Sequence, residues 1–197
     1  MVVVHPALPA KTLPQLIALA KAQPGQLNFG SAGAGNATHL AGELFRAMAR
    51  VNIVHVPYKG SGPALIDLAG GQVQLMFSNL TAALPHMKSA KLRALAVTGE
   101  KRTPIAPELP TVAEAALPGY AVTSWYGVLA PAGTPQEIVT RLNTETGNAM
   151  REPDIKERLA AEGADSMAGS TAAFAALLKT EVAKWATVVK QAGIAPE

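Results

Sequence analysis

The stretch that most limits what this chain can fold into is Leu27–Met48, LNFGSAGAGNATHLAGELFRAM. Leu27 and Phe29 alternate as strand residues do. Gly30, Ser31, Gly33 and Gly35 follow as a loop with little side-chain bulk. Asn36 or Thr38 is placed to cap a helix whose apolar face would be Leu40, Leu44, Phe45 and Met48, with Glu43 pointing away from it. A strand, a glycine turn and a helix start in this order aim backbone N–H groups and the positive end of a helix dipole at one spot, which attracts an anion. No Lys or Arg lies between Ala22 and Glu43, so the guest expected is a small anion held by amides and hydroxyls. The spacing G-x-x-G-x-G is neither the dinucleotide fingerprint nor a P-loop, and a plain tight turn is the competing reading.

The rest of the chain repeats this arrangement. Val2–Val4 reads as a buried strand, and Leu13–Ala22 as a helix capped by Thr12 and stopped at Pro24-Gly25. Asn52–Pro57 alternates as a strand. His55 within it reads as a packing histidine, since no second ligand sits at i+2 or i+4. Tyr58–Pro63 is a second small-residue loop that opens a helix, Pro63–Leu68, stopped by Gly70-Gly71. The strand Val73–Phe77 runs through Ser78-Asn79-Leu80-Thr81 into the helix Ala82–Ser89, and Lys91–Thr98 is a further strand. Alternating strands and helices predict a parallel sheet wrapped by helices. In such a sheet ligands gather where the loops after the strands converge, here Gly30–Asn36, Tyr58–Pro63 and Ser78–Thr81. Beyond a proline-rich connector, Thr111 caps a short helix, Val112–Ala116. Val122–Ala130 reads as a long strand. Gln136–Met150 is amphipathic, with Ile138, Val139, Leu142 and Met150 inward. Pro153 starts a helix to Glu162. Ser170 caps Ala173–Ala192, whose stripe of Phe174, Leu177, Leu178, Val182, Trp185 and Val189 is core or interface.

Composition narrows the function classes. The 197 residues suit one large domain or two small lobes, and 49% apolar content is enough for a core. A net charge of +3 with 16% charged residues is no nucleic-acid footprint. The absence of cysteine excludes disulfides, thiolate metal sites and cysteine nucleophiles. Met1–Pro6 lacks the charged and apolar regions of a signal peptide, and no stretch reaches the length of a membrane helix. The four histidines show no metal-ligand spacing, and Ser31, Ser61 and Ser78 have no base nearby in sequence. His39 and Glu43 share a helix at i, i+4, a spacing that pairs side chains or binds a metal, and the commoner reading is a surface or helix-packing pair. No catalytic residue, metal or cofactor is expected.

The blocks LNFGSAGAGNATHLAGELFRAM, VHVPYKGSGPALIDLAGGQVQLMFSN, LRALAVTGEKR, PTVAEAALPGY and SWYGVLAPAGTP together resemble the Bug-type extracytoplasmic solute receptors of tripartite tricarboxylate transporters, from about Val3 to Ile194. The resemblance implies an α/β, periplasmic-binding-protein-like (type II) fold of two lobes that closes on a small carboxylate. The second lobe would be complete and the first only partly present. Residues 1–8 would be a crossover strand, 9–122 the complete middle lobe and 123–197 the C-terminal part of the other lobe. Relatives carry a longer N-terminal part, so the resemblance also implies exposed apolar helix faces, with either low stability or repair by swapping or as a homodimer.

Carried over by position, the family's middle-lobe contacts fall on Ser31, Ala32, Gly33, Gly35, Asn36, Ser78 and Asn79. Many relatives have Asp at the position of Ser78. Serine there disfavours an amino-acid ammonium and suits a plain dicarboxylate or aromatic acid. Tyr58, Lys59 and Ser61 border the cleft, with turn packing the other reading for Tyr58 and Lys59. Trp125 and Tyr126 fall where the chain crosses between lobes, as hinge packing or as ligand contacts. The function implied is carboxylate capture in the periplasm for membrane transporter subunits. The alternatives are a ligand sensor for a signalling partner and a small hydrolase using Gly30–Asn36 as an anion hole.

Overall fold

The computed structural model describes residues 1–161, 164 and 166–194. It contains two compact units: Met1–Ser124 with the chain's end from Thr187, and Trp125–Ala186.

The first unit is built on a five-stranded sheet of β1 (Val2–Val4), β2 (Asn28–Ser31), β3 (Val54–Pro57), β4 (Leu75–Phe77) and β5 (Arg93–Ala96), in the order β3-β2-β4-β1-β5. β2 pairs in parallel with β3 and β4. β1 runs antiparallel to both β4 and β5. The sheet is therefore mixed, not wholly parallel as the alternation predicts. An apolar run such as Val2-Val3-Val4 reports burial on both faces but carries no direction. The connection from β4 to β5 leaves the slot between them for the chain's first strand.

The helices α1 (Leu13–Ala22), α2 (Ala37–Ala49), α3 (Ser61–Ala69), α4 (Leu80–Lys88) and the short α5 (Val112–Ala115) accompany this sheet. Thr12 caps α1 by accepting from Gln15 N–H, and Thr111 with Glu114 forms a capping box on α5. Val2, Val3, Val4, Phe29, Phe45, Leu75 and Met76 lose all their solvent contact. Each such side chain contributes roughly 1.5–3 kcal/mol through burial. Leu13, Leu16 and Ala20 on α1, and Ala64, Leu65 and Leu68 on α3, supply the inward helix faces. A Cβ on Gly42 would lie 2.3 Å from Phe29 Cε2, so glycine lets α2 approach β2.

The buried face of α2 is rotated from the expected stripe. Thr38, His39, Ala41, Gly42, Glu43, Phe45 and Ala49 are buried, while Leu40, Leu44 and Met48 are half-buried. Glu43 thus lies inside, not on the solvent face. Its Oε2 is 2.7 Å from Arg46 Nη2, though not aligned for a hydrogen bond, and its Oε1 is 3.6 Å from His39 Nε2. The guanidinium neutralises a carboxylate that would otherwise be too costly to bury.

The second unit holds α6 (Gln136–Ala149), α7 (Pro153–Ala161) and most of α8 (Thr171–Ala192). Ser170 Oγ accepts from Ala173 N–H at the start of α8. Glu162, the expected end of α7, lies outside the described residues. Two expectations are corrected in this part of the chain. Val122 N–H donates to the Thr98 carbonyl at 2.7 Å, but among the described residues no ladder continues along Val122–Ala130. Tyr126, Val128 and Leu129 stand exposed. Alternation makes a strand only where a neighbour supplies bonding partners. On α6, Ile138 and Leu142 are exposed rather than inward, and Val139 and Met150 are half-buried. On α8, Val182 is exposed and Phe174, Leu177, Leu178, Trp185 and Val189 are half-buried.

Candidate functional site

Because β2, β3 and β4 run parallel, their C-terminal ends lie at one edge of the sheet. Ser31, Pro57 and Phe77 end the strands, and the loops after them lead into α2, α3 and α4. β2 lies between the other two, so its loop is flanked by theirs. The first two loops are tied directly: Tyr58 N–H donates to the Ser31 carbonyl (3.1 Å) and Gly60 N–H to the Ala32 carbonyl (3.0 Å). All three convergent loops of the sequence reading thus share one edge, the place where open α/β sheets bind ligands.

The N–H groups of the β2–α2 loop divide into two sets. Ala32 N–H donates to Thr38 Oγ1 (2.8 Å), Gly33 N–H to Ser31 Oγ (3.2 Å), Gly35 N–H to His39 Nδ1 (3.0 Å) and Thr38 N–H to Asn36 Oδ1 (3.0 Å). Asn36 N–H turns back to the Gly33 carbonyl at 3.3 Å. Among the described residues, the N–H groups of Ala34 and Ala37 have no acceptor, and both residues are exposed. Asn36 is the N-cap of α2. Its Oδ1 is engaged twice, by Thr38 N–H and by Thr38 Oγ1 (3.2 Å), which leaves its amide NH₂ as a donor. Gly33 and Gly35 hold φ values of 143° and 68°, the left-handed side that glycine enters without strain.

The loop is held from behind by a stacked pair of imidazoles. Ser31 is fully buried, and its Oγ lies 2.6 Å from His55 Nε2 and donates to the Gly33 carbonyl at 3.1 Å. The His55 ring lies on that of His39, centroids 3.7 Å apart and 11° from parallel. Because Gly35 N–H needs a lone pair on His39 Nδ1, the proton of His39 sits on Nε2, facing Glu43. Burial, then the nearby His39, pulls the pKa of His55 down to about 4, against an opposing pull from Glu43.

The other expected positions divide as follows. Ser78 is buried at the end of β4, and its Oγ donates to the Asn79 carbonyl at 3.2 Å. Asn79 is the N-cap of α4 but makes no side-chain capping bond. Its Oδ1 accepts from Ser124 Oγ at 3.3 Å, so the first N–H groups of α4 have no capping side chain. Ser61 opens α3 and is half-buried. The Tyr58 hydroxyl donates to Asp67 Oδ2 at 2.8 Å, and its ring lies against Gly30. Burial and Asp67 together raise its pKa to about 12. Lys59 is exposed. Trp125 belongs to the second unit, where it meets Phe174 edge-on with centroids 5.7 Å apart. The sequence reading missed Thr38 and His39 as holders of the loop, and Ala34 and Ala37 as its open donors. The spacing of His39, four residues after Gly35, was visible, but a helical histidine pairs as readily with Glu43.

The whole edge offers N–H donors, amide groups and hydroxyls, with no lysine or arginine in the β2–α2 loop. Among the described residues no group of three His, Asp or Glu side chains could hold a metal ion.

A family model described as "Tripartite tricarboxylate transporter family receptor" matches residues 1–194. The chain is 42% identical over 180 residues to a UPF0065 protein of the tcbD-tcbE intergenic region of Pseudomonas sp. (strain P51), covering 91% of this chain and 54% of that protein. It is 36% identical over 193 residues to Protein BugT of Bordetella pertussis, covering 98% and 59%. The chain therefore spans little more than half the length of these relatives. Among solved structures, an R. palustris protein with adipate superposes with a TM-score of 0.90 at 42% identity, covering all of this chain and 66% of that one. The periplasmic binding protein BugD gives 0.84 at 33%, covering 100% and 66%. MatC from Rhodopseudomonas palustris with bound malate gives 0.84 at 31%, covering 96% and 65%. Family and structural neighbours alike are solute-binding receptors, and the α/β fold with its mixed sheet is theirs. This chain belongs to the tripartite tricarboxylate transporter receptor family.

Proposed function

We propose that the protein is a periplasmic receptor that captures a small carboxylate and delivers it to the membrane subunits of a tripartite transporter. The observation that carries this reading is the set of open donors at the sheet edge: Ala34 N–H, Ala37 N–H, the Asn36 amide and the uncapped start of α4. Two helix N-termini, with no lysine or arginine in the β2–α2 loop itself, favour a compact anion bound by hydrogen bonds. Ser31, Ala32, Gly33 and Gly35 shape the loop, Ser78 and Asn79 border it, and Tyr58 and Ser61 are outer members of the site. Ser78 brings no charge, which favours a dicarboxylate over an amino acid. The adipate and malate of two structural neighbours are of this chemical class.

The contact between Ser31 and His55 favours a second reading, a hydrolase with a serine nucleophile. Three facts weigh against it. Ser31 is fully buried, its Oγ is engaged twice by Gly33, and His55 at a pKa of about 4 is a weak base near neutral pH. Ester turnover lost in Ser31→Ala would establish that reading instead.

The test is a thermal-shift and tryptophan-fluorescence titration with citrate, succinate, adipate, glutamate, nicotinate and terephthalate. A saturable response to one or two dicarboxylates, with glutamate silent, is the expected result. The absence of a response to every carboxylate would overturn the proposal.

A further inference from the structure

Four side chains, those of Thr38, Ser31, His39 and Asn36, spend amides of the β2–α2 loop before any ligand arrives, and two of them, Ser31 and His39, belong to one buried network. His39 Nδ1 takes Gly35 N–H at 3.0 Å. Ser31 Oγ takes Gly33 N–H at 3.2 Å while touching His55 Nε2 at 2.6 Å. The imidazoles are locked together by their stacking and by Phe29, whose ring centroid lies 4.9 Å from His55 and 6.3 Å from His39. Glu43 and Arg46 close the network on the far side of His39. Gly33 and Gly35 are otherwise the freest residues in the loop, because both sit at positive φ where only glycine is at ease. An unanchored glycine loop would lose conformational entropy on ordering around a ligand.

We propose that His39 and His55 are positioning residues of the carboxylate site: they fix Gly35 and, through Ser31, Gly33, so that the intervening Ala34 N–H and the following Ala37 N–H stand ready as donors. Neither imidazole needs to touch the ligand. The same anchoring sets which amides are open, since the N–H groups of Ala32, Gly33, Gly35 and Thr38 are spent internally. The inference rests on the receptor reading for its ligand but not for its geometry.

The test compares His39→Leu with His39→Asn. Both remove the stacked ring, but only asparagine keeps an acceptor at the place of Nδ1. Two quantities are read: adipate and succinate affinity by calorimetry, and hydrogen exchange of the Gly35 amide by NMR. The expected result is about tenfold or more weaker binding in His39→Leu, corresponding to ~1.4 kcal/mol, with substantial recovery in His39→Asn and Gly35 protected only where an acceptor is present. Equal affinity and equal Gly35 exchange in the two variants would overturn the inference. Should His39→Leu fail to fold, Ser31→Ala serves instead. Faster Gly33 exchange with weaker binding upholds the inference, and unchanged values overturn it. If neither dicarboxylate binds the unaltered protein, the receptor reading falls, and Gly35 exchange alone then decides whether His39 holds the loop.

Discussion

The rings of His39, on α2, and His55, on β3, lie face to face with centroids 3.7 Å apart and 11° from parallel. Two imidazolium ions at that separation repel strongly in a partly dehydrated site. Burial and His39 lower the His55 pKa from its usual 6.5 to about 4. The unfolded chain therefore binds this proton more tightly than the folded one. The stability linked to His55 is fully present above about 6.5 and is lost as pH falls from there towards 4. Urea unfolding across that window should show midpoints dropping with acid. In His55→Phe, which keeps a stacking ring without a titrating group, the slope should be shallower. An unchanged slope would remove His55 as its source.

Gly42 sets the distance between α2 and β2. In Gly42→Ala the new methyl would sit 2.3 Å from Phe29 Cε2, and the fully buried Phe29 has no solvent side to turn towards. Overpacking of this kind costs about 1–3 kcal/mol, well above the gain in helix propensity from alanine. Chemical denaturation should register the loss, and a neutral or stabilising substitution would show that the helix moves away freely.

The Tyr120 hydroxyl, buried, donates to the Ala41 carbonyl at 2.9 Å and so ties the end of the first unit to α2. Its burial raises the phenol pKa, which keeps the hydroxyl protonated as a donor. Tyr120→Phe removes this bond and keeps the packing, so a loss of about 1 kcal/mol in unfolding free energy is expected.

Much of the first unit was legible because its local signals agree. The caps at Thr12 and Thr111 are observed as read, Asn36 is the one of its two candidate caps that α2 uses, and buried runs such as Val2–Val4 and Leu75–Phe77 became central strands. What could not be read was set by partners distant in sequence. The antiparallel entry of β1 between β4 and β5 depends on chain path, to which hydrophobic periodicity is blind. Glu43 looked like a surface residue because its burial requires Arg46 and His39 to be turned inward with it. The three convergent loops were visible as composition, but which amides remain open depends on Thr38, Ser31, Asn36 and His39 side-chain geometry. Val122–Ala130 and Ile138 to Leu142 show the reverse: strong apolar patterns with little cover among the described residues.

Ser78 tests the choice of ligand. It is buried at the end of β4, beside the start of α4, and brings no charge. Ser78→Asp places a carboxylate there, which should weaken dicarboxylate binding by roughly tenfold or more, about 1.4 kcal/mol, and admit glutamate in its place. Calorimetry on both variants with succinate and glutamate checks this. Unchanged preference would move the ligand away from Ser78.

Backbone amide NMR with a titrated dicarboxylate decides whether the sheet edge is the binding site. The amides of Ala34 and Ala37, together with Leu80 and Thr81 at the start of α4, should shift together and saturate with one dissociation constant, while Gly35, already bonded to His39 Nδ1, moves less. Saturable shifts elsewhere, with Ala34 and Ala37 unmoved, would contradict the assignment of the β2–α2 loop as the carboxylate site.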